Sequence, residues 1–489
     1  MIKANYLVLL IVFLASCNSS LTETEAPQPP NVLFIAIDDL NDWLGCMNGH
    51  PNTLTPNMDK LASQGVLFTN AHCQAPLCGP SRASIMTGLR PSTTGIYGMI
   101  DDNDIKQVLP DITLLPEYFK QNGYHTMGIG KLFHQHAPDG VFDESGGRTG
   151  GFGPKPEERF VWDGIGTSDQ EKYGRTSTDW GAYPEVDSLM IDYQSADWAI
   201  ERLNRDYDQP FFMGVGFIRP HVPLYAPQKW FDKISLEGLE MTPYKADDLN
   251  DVPDVALQIN DLPMMPTTQW AIESGNWDDI IQAYLACVTF VDAQVGRVMD
   301  ALENSEYADN TIIVLWSDHG YRLGEKETFA KHALWEEATN APLIFSAPTL
   351  PKGKVVDQPV EMLSIYPTLL ELSGLDAYNK NEGISLVELM QSDKMEKAYH
   401  AITTYGMNNH SVRSEKFRYT RYEDGSEELY DHETDPNEWN NLAADQGTET
   451  VRQELSTRLP QHNVHWAEPS QYTFQPYFVE QKERVGIKE

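Results

Sequence analysis

Cysteine is scarce in this sequence, with five residues in 489, at positions 17, 46, 73, 78 and 287. No two of them form a Cys-x-x-Cys pair, which argues against zinc knuckles and dithiol redox motifs. Basic residues are scarce as well: 36 Lys and Arg stand against 72 Asp and Glu, a formal net charge of −36. A surface of that sign repels a phosphate backbone, so the reading is no nucleic acid among the partners. An acidic surface keeps an exported protein soluble, but an anionic substrate would then need the few cations concentrated in its pocket. The apolar run near the start, from Leu7 to Leu14, is too short to span a bilayer comfortably. No internal repeat is visible.

What is present begins with that same segment. Lys3, the apolar run and "LASC", ending at Cys17, resemble a bacterial lipoprotein signal with its lipobox. The resemblance implies a signal peptide over 1–16, a lipid anchor at Cys17 and an exported protein, periplasmic or on the cell surface. A plain secretory signal is the simpler alternative. Residues 17–30, polar and proline-ended, suit a flexible tether. Pairing among Cys46, Cys73 and Cys287 stays open at this point, although Cys287 sits in a helical apolar pattern and reads as a buried small hydrophobe.

The body of the chain reads as α/β. "NVLFIAIDDL" begins at Asn31 and runs through apolar residues straight into Asp38 and Asp39. "NTIIVLWSDHG", residues 310–320, repeats the design and ends on Asp318 and His319. Continuous apolar runs of this length are buried strands. Ligands bind beyond the carboxyl ends of such strands, so the two acidic tips predict one shared site. "TLLPEYFKQNGYHTMGIGKLFH" predicts a helix and then a strand leading to Lys131 and His134, and "PFFMGVGFIRPH" a strand reaching His221. Residues 277–303 carry a helical apolar period and no chemistry, and Asp292 within them reads as solvated or capping. "DDND" at 101–104 reads as a solvated loop rather than a cation site. Residues 139–187 and 241–275 read as long surface excursions of the kind that shape a cleft. Short strand-like pieces after about residue 400 predict a small antiparallel sheet.

The stretch "CGPSRASIMTGLRP", residues 78–91, resembles the signature of type I sulfatases, in which Cys-x-Pro-x-Arg directs oxidation of the cysteine to formylglycine. The resemblance continues through "IAIDDL", "GKLFH", "RPHVPL", "SDHG" and "ELYDHETDPNEWNNLA", and is most like the iduronate-2-sulfatase branch. It implies an alkaline phosphatase-like α/β fold. A large, mostly parallel sheet flanked by helices would form a catalytic domain over 31–395, with a smaller antiparallel-sheet subdomain over 396–489.

The resemblance also implies the site. Formylglycine made from Cys78 by a formylglycine-generating maturation enzyme would be hydrated and supply the nucleophile. Asp38, Asp39, Asp318, His319 and residue 78 would hold one divalent cation, Ca²⁺, because hard oxygen ligands favour it. Arg82 would hold the diol, and Lys131 and Lys331 would clamp the sulfate. His134 would take the proton that lets the sulfated enzyme break down, and His221 would protonate the leaving alcohol. Taken singly, each of these residues could be an ordinary cap, core thiol or structural histidine, and His332 is left out of the catalytic set. The sequence departs from the family at His319, where asparagine is common, and from the branch at Tyr321, where Trp is usual. The expected activity is hydrolysis of sulfate esters on a sulfated oligo- or polysaccharide, with 2-O-sulfate of a uronic acid or xylose-type unit as the specific choice. A phosphonate or phosphate ester hydrolase of the same fold and a non-catalytic carbohydrate-binding lipoprotein are the alternatives.

Overall fold

Strand β1 (Asn31–Ile37) is buried along its whole length. Leu33, Ile35 and Ile37 enter one hydrophobic cluster, while Val32, Phe34 and Ala36 enter another. Alternate side chains of a strand face opposite sides of the sheet, so this strand is covered on both faces, which accounts for its unbroken apolar sequence. The computed structural model describes residues 28–148, 151–161, 178–262, 264–392, 399–471 and 475–487. The expected signal peptide, Cys17 and all but the end of the tether lie outside them.

The further strands of the main sheet are β2 (Val66–Phe68), β3 (His125–Gly130), β4 (Glu144–Gly147), β5 (Phe211–Phe217), β6 (Thr311–Ser317), β7 (Leu343–Ser346) and β8 (Lys354–Val356). Their order across the sheet is β8-β2-β7-β6-β1-β5-β3-β4. Only β7 runs against the others, pairing antiparallel with β2 and β6. The sheet is therefore mixed but mostly parallel. Strands β6, β1, β5 and β3 are contiguous and parallel, so their carboxyl ends open on the same edge. β4 lies within a stretch expected to be a surface excursion. Its sequence "ESGG" has little strand propensity, and it is ordered by pairing with β3 at the sheet's edge.

Helix α1 (Pro56–Gln64) packs on the long helix α3 (Trp277–Glu303), and helix α2 (Cys78–Thr87) carries Cys78. Asp292 of α3 is buried rather than solvated, and it does cap. Its carboxylate accepts from the backbone N–H of Asn57 at 3.1 Å and of Met58 at 2.9 Å, the orphan donors of the first turn of α1. The region 241–275, expected as irregular, contains the short helices Asp254–Asn260 and Thr268–Ser274. Toward the C-terminus, β9 (Ala401–Thr404), β10 (His410–Arg413), β11 (Phe417–Arg421) and β12 (Glu427–Asp431) form a separate antiparallel sheet in sequential order. It is tied to the main body by Arg418, which is buried and donates through Nε to Glu438 at 2.7 Å and through Nη2 to Glu336. Cys46, Cys73, Cys78 and Cys287 are all free thiols, and Cys287 is a buried core residue of α3.

One glycine sets the position of a site lysine. A Cβ on Gly216 in β5 would lie 2.3 Å from the carbonyl carbon of Lys131. Backbone cannot yield as a side-chain tip does, so Gly216→Ala is expected to displace the segment after β3 and cost about 1–3 kcal/mol. A urea midpoint lower than wild type with an unchanged slope would show it; equal midpoints would refute the crowding argument.

Candidate active site

Each strand tip on this edge delivers a chemically active residue. Asp38 and Asp39 follow β1, Asp318 and His319 follow β6, and Lys131 follows β3. β5 stops at Phe217, short of the expected reach to His221. A turn in which His221 N–H donates to the Ile218 carbonyl at 2.8 Å brings the imidazole round. Asp39 adopts φ of +59°, a left-handed conformation that Asp tolerates better than most residues. Tyr284 of α3 pins that turn by donating its hydroxyl to the Asp39 carbonyl at 2.8 Å and accepting from Asn41 N–H at 2.9 Å.

Cys78 is the first residue of α2. Pro80 does not prevent this, because N–H groups of a first helical turn have no intrahelical acceptor to lose. The thiol thus sits at the positive end of the helix, where an anion is favoured. Ser81 in the same turn donates its hydroxyl to the Asp318 carbonyl at 2.5 Å, which fastens α2 to the tip of β6.

The buried ion pairs converge here. Arg82 donates through Nε to Asp318 Oδ2 at 2.8 Å and through Nη2 to Asp38 Oδ1 at 3.2 Å. Lys131 Nζ donates to the other oxygen of Asp38. Lys331 Nζ donates to Asp39 Oδ1 at 2.7 Å and lies 3.3 Å from Cys78 Sγ. Asp38, Asp39 and Asp318 are fully buried, and they are matched by Arg82, Lys131 and Lys331, three carboxylates against three cations. The match is uneven. Burial opposes ionisation of Asp38, but Lys131, His221, Arg82 and Lys331 outweigh it and hold its carboxyl well below the usual range. Burial instead prevails at Asp39, aided by Asp38 and Asp318, and raises its carboxyl despite Lys331. Asp39 Oδ2 is buried with no hydrogen-bond partner.

His319 Nε2 lies 3.3 Å from Cys78 Sγ and 3.6 Å from both Asp39 Oδ1 and Asp318 Oδ1. Its Nδ1 faces the Gly320 carbonyl at 3.0 Å, and a carbonyl only accepts. The proton is therefore on Nδ1, and Nε2 presents a lone pair to the carboxylates. Burial and then Lys331 work against protonating it. His221 is held the same way, with Nδ1 donating to the Val222 carbonyl at 2.6 Å and Nε2 3.9 Å from Asp39 Oδ2. Two overlapping clusters, Asp38, Asp39, Cys78 and His221, and Asp38, Cys78, Asp318 and His319, each bring their ligand atoms within 4.8 Å of one another, and with the orphaned Asp39 oxygen they fit a divalent cation.

His134 is attached to the site through its backbone. Asp102 is buried and accepts from the N–H groups of His134 at 3.3 Å, Gln135 at 2.6 Å and His136 at 3.2 Å. The "DDND" reading as a solvated loop is therefore corrected at Asp102, whose carboxyl burial pushes up to about 6. Its local sequence gives no sign of this, because the three donors come from more than thirty residues away. Burial, Lys131 and Arg148 hold His134 well below the ordinary histidine range. Phe152, also not singled out by sequence, stacks on His221 with ring centroids 4.5 Å apart and planes 2° from parallel. His332, left out of the catalytic set, hydrogen-bonds through Nδ1 to the Tyr405 hydroxyl at 2.8 Å.

Comparison with known proteins agrees with this geometry. The family model described as "Sulfatase" matches residues 30–375, and that of the N-sulphoglucosamine sulphohydrolase C-terminal region matches 324–465. A protein named sulfatase from Formosa agariphila is 62% identical, over 99% of this chain and 97% of its own length. Iduronate 2-sulfatase of Homo sapiens is 32% identical, over 75% of this chain and 73% of its own. Among solved structures, the phosphonate monoester hydrolase of Agrobacterium radiobacter superposes with a TM-score of 0.69 at 21% identity, over 88% of this chain and 94% of its own. The fold is alkaline phosphatase-like, and the chain belongs to the sulfatase family. It is a sulfuric ester hydrolase.

Proposed function

We propose that this enzyme removes 2-O-sulfate from uronic acid or xylose-type units of a sulfated polysaccharide or its oligosaccharides, using an oxygen nucleophile made by oxidising Cys78 to formylglycine. The observation that carries the nucleophile is the state of the thiol. Burial, and then Asp38, push Cys78 up to about 12, so almost none of it is thiolate at neutral pH, yet it occupies the centre of the charged cluster. Sγ then marks where the oxygen of the hydrated aldehyde would stand. The uronate reading is supported by the 32% identity to iduronate 2-sulfatase.

The chain's own groups divide the work. Asp38, Asp39, Asp318 and His319 would hold a divalent cation, Ca²⁺ in this proposal, which when bound acidifies a ligated hydroxyl and draws charge from a sulfate oxygen. Lys331 and Lys131 are the cations that would hold the remaining sulfate oxygens, and Arg82 fixes Asp38 and Asp318. His221 would protonate the leaving alcohol from Nε2. Because Nδ1–H is committed to Val222, that nitrogen carries a proton only in the imidazolium form. His134, its backbone fixed by Asp102, would take the proton from the diol.

Enzyme from a host with the maturation machinery is expected to release sulfate from 2-O-sulfated uronate oligosaccharides, with the freed position read by NMR. It should prefer aryl sulfates to aryl phosphonates, and dialysis against a chelator should reduce its activity at least tenfold, restored by Ca²⁺. Activity on sulfated sugars confined to other positions would sink the 2-O assignment, and a preference for phosphonates would sink the sulfate one.

A further inference from the structure

Lys131, Lys331 and Arg82 each have a carboxylate partner, whereas a fourth cation at the site has none. Arg148 donates from Nη1 to the His134 carbonyl and from Nη2 to the Gly151 carbonyl at 3.3 Å, and its Nε is buried without a hydrogen-bond partner. No carboxylate of the described residues forms an ion pair with it. Its guanidinium carbon lies 5.4 Å from the centre of the Phe152 ring, the ring that stacks on His221 and that Lys131 Nζ approaches to 5.5 Å. Asp38, Arg82 and Cys78 are near enough to act on its charge.

A guanidinium used only as a strut between two carbonyls is an expensive choice. Two neutral donors would serve, without placing another positive charge beside Lys131 and Arg82. Arg219 and Arg322 are also buried without an acid, but each donates from Nε and from both Nη groups, whereas the half-buried Arg148 leaves its Nε unused beside the charged cluster. The position makes sense if the acid arrives with the substrate, since the planar fork of Arg matches a carboxylate.

Resting on the uronate reading above, we infer that Arg148 binds the substrate's second anionic group, the uronate carboxylate, while Lys131 and Lys331 hold the sulfate. Phe152 forms the wall between the two subsites, with Arg148, Lys131 and His221 all packed against its ring. Arg148 is thus a specificity residue that selects sulfated acidic sugars over sulfated neutral ones.

Two measurements on wild type, Arg148→Gln and Arg148→Lys decide it, with melting curves confirming that each variant folds. The first is kcat/KM on a 2-O-sulfated uronate disaccharide relative to kcat/KM on an aryl sulfate lacking a carboxylate. That ratio should fall about 10- to 100-fold in Arg148→Gln, mainly through KM, and less in Arg148→Lys. The second is competition against aryl sulfate hydrolysis. Glucuronate should inhibit wild type more strongly than glucose does, and Arg148→Gln should lose that difference. A proportionate loss on both substrates would mean that Arg148 acts only through His134 and would overturn the proposal. So would an unchanged ratio, or glucuronate inhibiting wild type no better than glucose. If wild type cleaves no uronate sulfate at all, the substrate reading fails by itself, and the glucuronate competition still decides whether Arg148 binds a carboxylate.

Discussion

Cys78→Ala is expected to lower sulfate release by on the order of 10⁵-fold, with the folded state nearly unchanged. The size of the effect follows from what the side chain does and does not do. It carries no ion pair that holds the fold, since Arg82, Lys131 and Lys331 keep their carboxylates when the sulfur is gone. The cost to stability is therefore that of removing one small buried atom, about 1 kcal/mol. The cost to turnover is loss of the nucleophile from the first turn of α2, between Lys331 and His319. Cys78→Ser separates two explanations. A serine hydroxyl is nearly isosteric with the thiol and would serve if a simple alcohol were the nucleophile. An aldehyde hydrate needs an oxidised side chain, so Cys78→Ser made in a host that cannot oxidise serine should be as inactive as Cys78→Ala. Intact-mass analysis of the active wild-type protein should show the mass change of thiol to aldehyde on the peptide bearing residue 78. Full activity of the serine variant in such a host would refute the formylglycine proposal.

The parts of this site that could be read in the sequence are those fixed by short stretches of chain. β1 and β6 announced themselves because a strand covered on both faces must be apolar throughout, so the polar residues that end it stand out. The segment from Cys78 to Arg82 was equally local, one turn of a helix. Asp102, Arg148 and Phe152 were not legible, because their significance lies in partners that only the fold supplies. In sequence, "DDND" is an acidic loop; in space, one of its carboxylates is buried under three N–H groups of the segment bearing His134. Asp292 was legible in kind, as a cap, but the Asn57 N–H it caps lies 235 residues earlier in the chain. β4 was illegible for the opposite reason, since its own residues carry almost no strand preference and its neighbour β3 supplies the order.

Asp38 and Asp39 are adjacent, equally buried and both expected as cation ligands, yet removing their charges should have unequal consequences for the fold. Asp38→Asn leaves Lys131 buried without its carboxylate and Arg82 with Asp318 alone. Breaking a buried pair from one side costs about 3–5 kcal/mol, so this variant should unfold at clearly lower denaturant as well as losing activity. Asp39 is placed differently. One of its oxygens has no hydrogen-bond partner, and burial beside Asp38 and Asp318 disfavours its charge. Its backbone is in a left-handed conformation that asparagine also accepts readily. In metal-free protein Asp39→Asn leaves Lys331 buried without its carboxylate, but it also removes a charge that burial beside Asp38 and Asp318 disfavours, so the loss of stability should be smaller than for Asp38→Asn, about 1–2 kcal/mol. Turnover should still fall at least 10³-fold, and Ca²⁺ should no longer raise the melting temperature as it does in wild type, because ligation adds stability only where it binds. Denaturant midpoints and Ca²⁺-dependent melting of the two variants, each stripped with chelator, make the comparison. Equal destabilisation by both substitutions would mean that Asp39 is held by the fold as firmly as Asp38, and that its orphaned oxygen is not reserved for a cation.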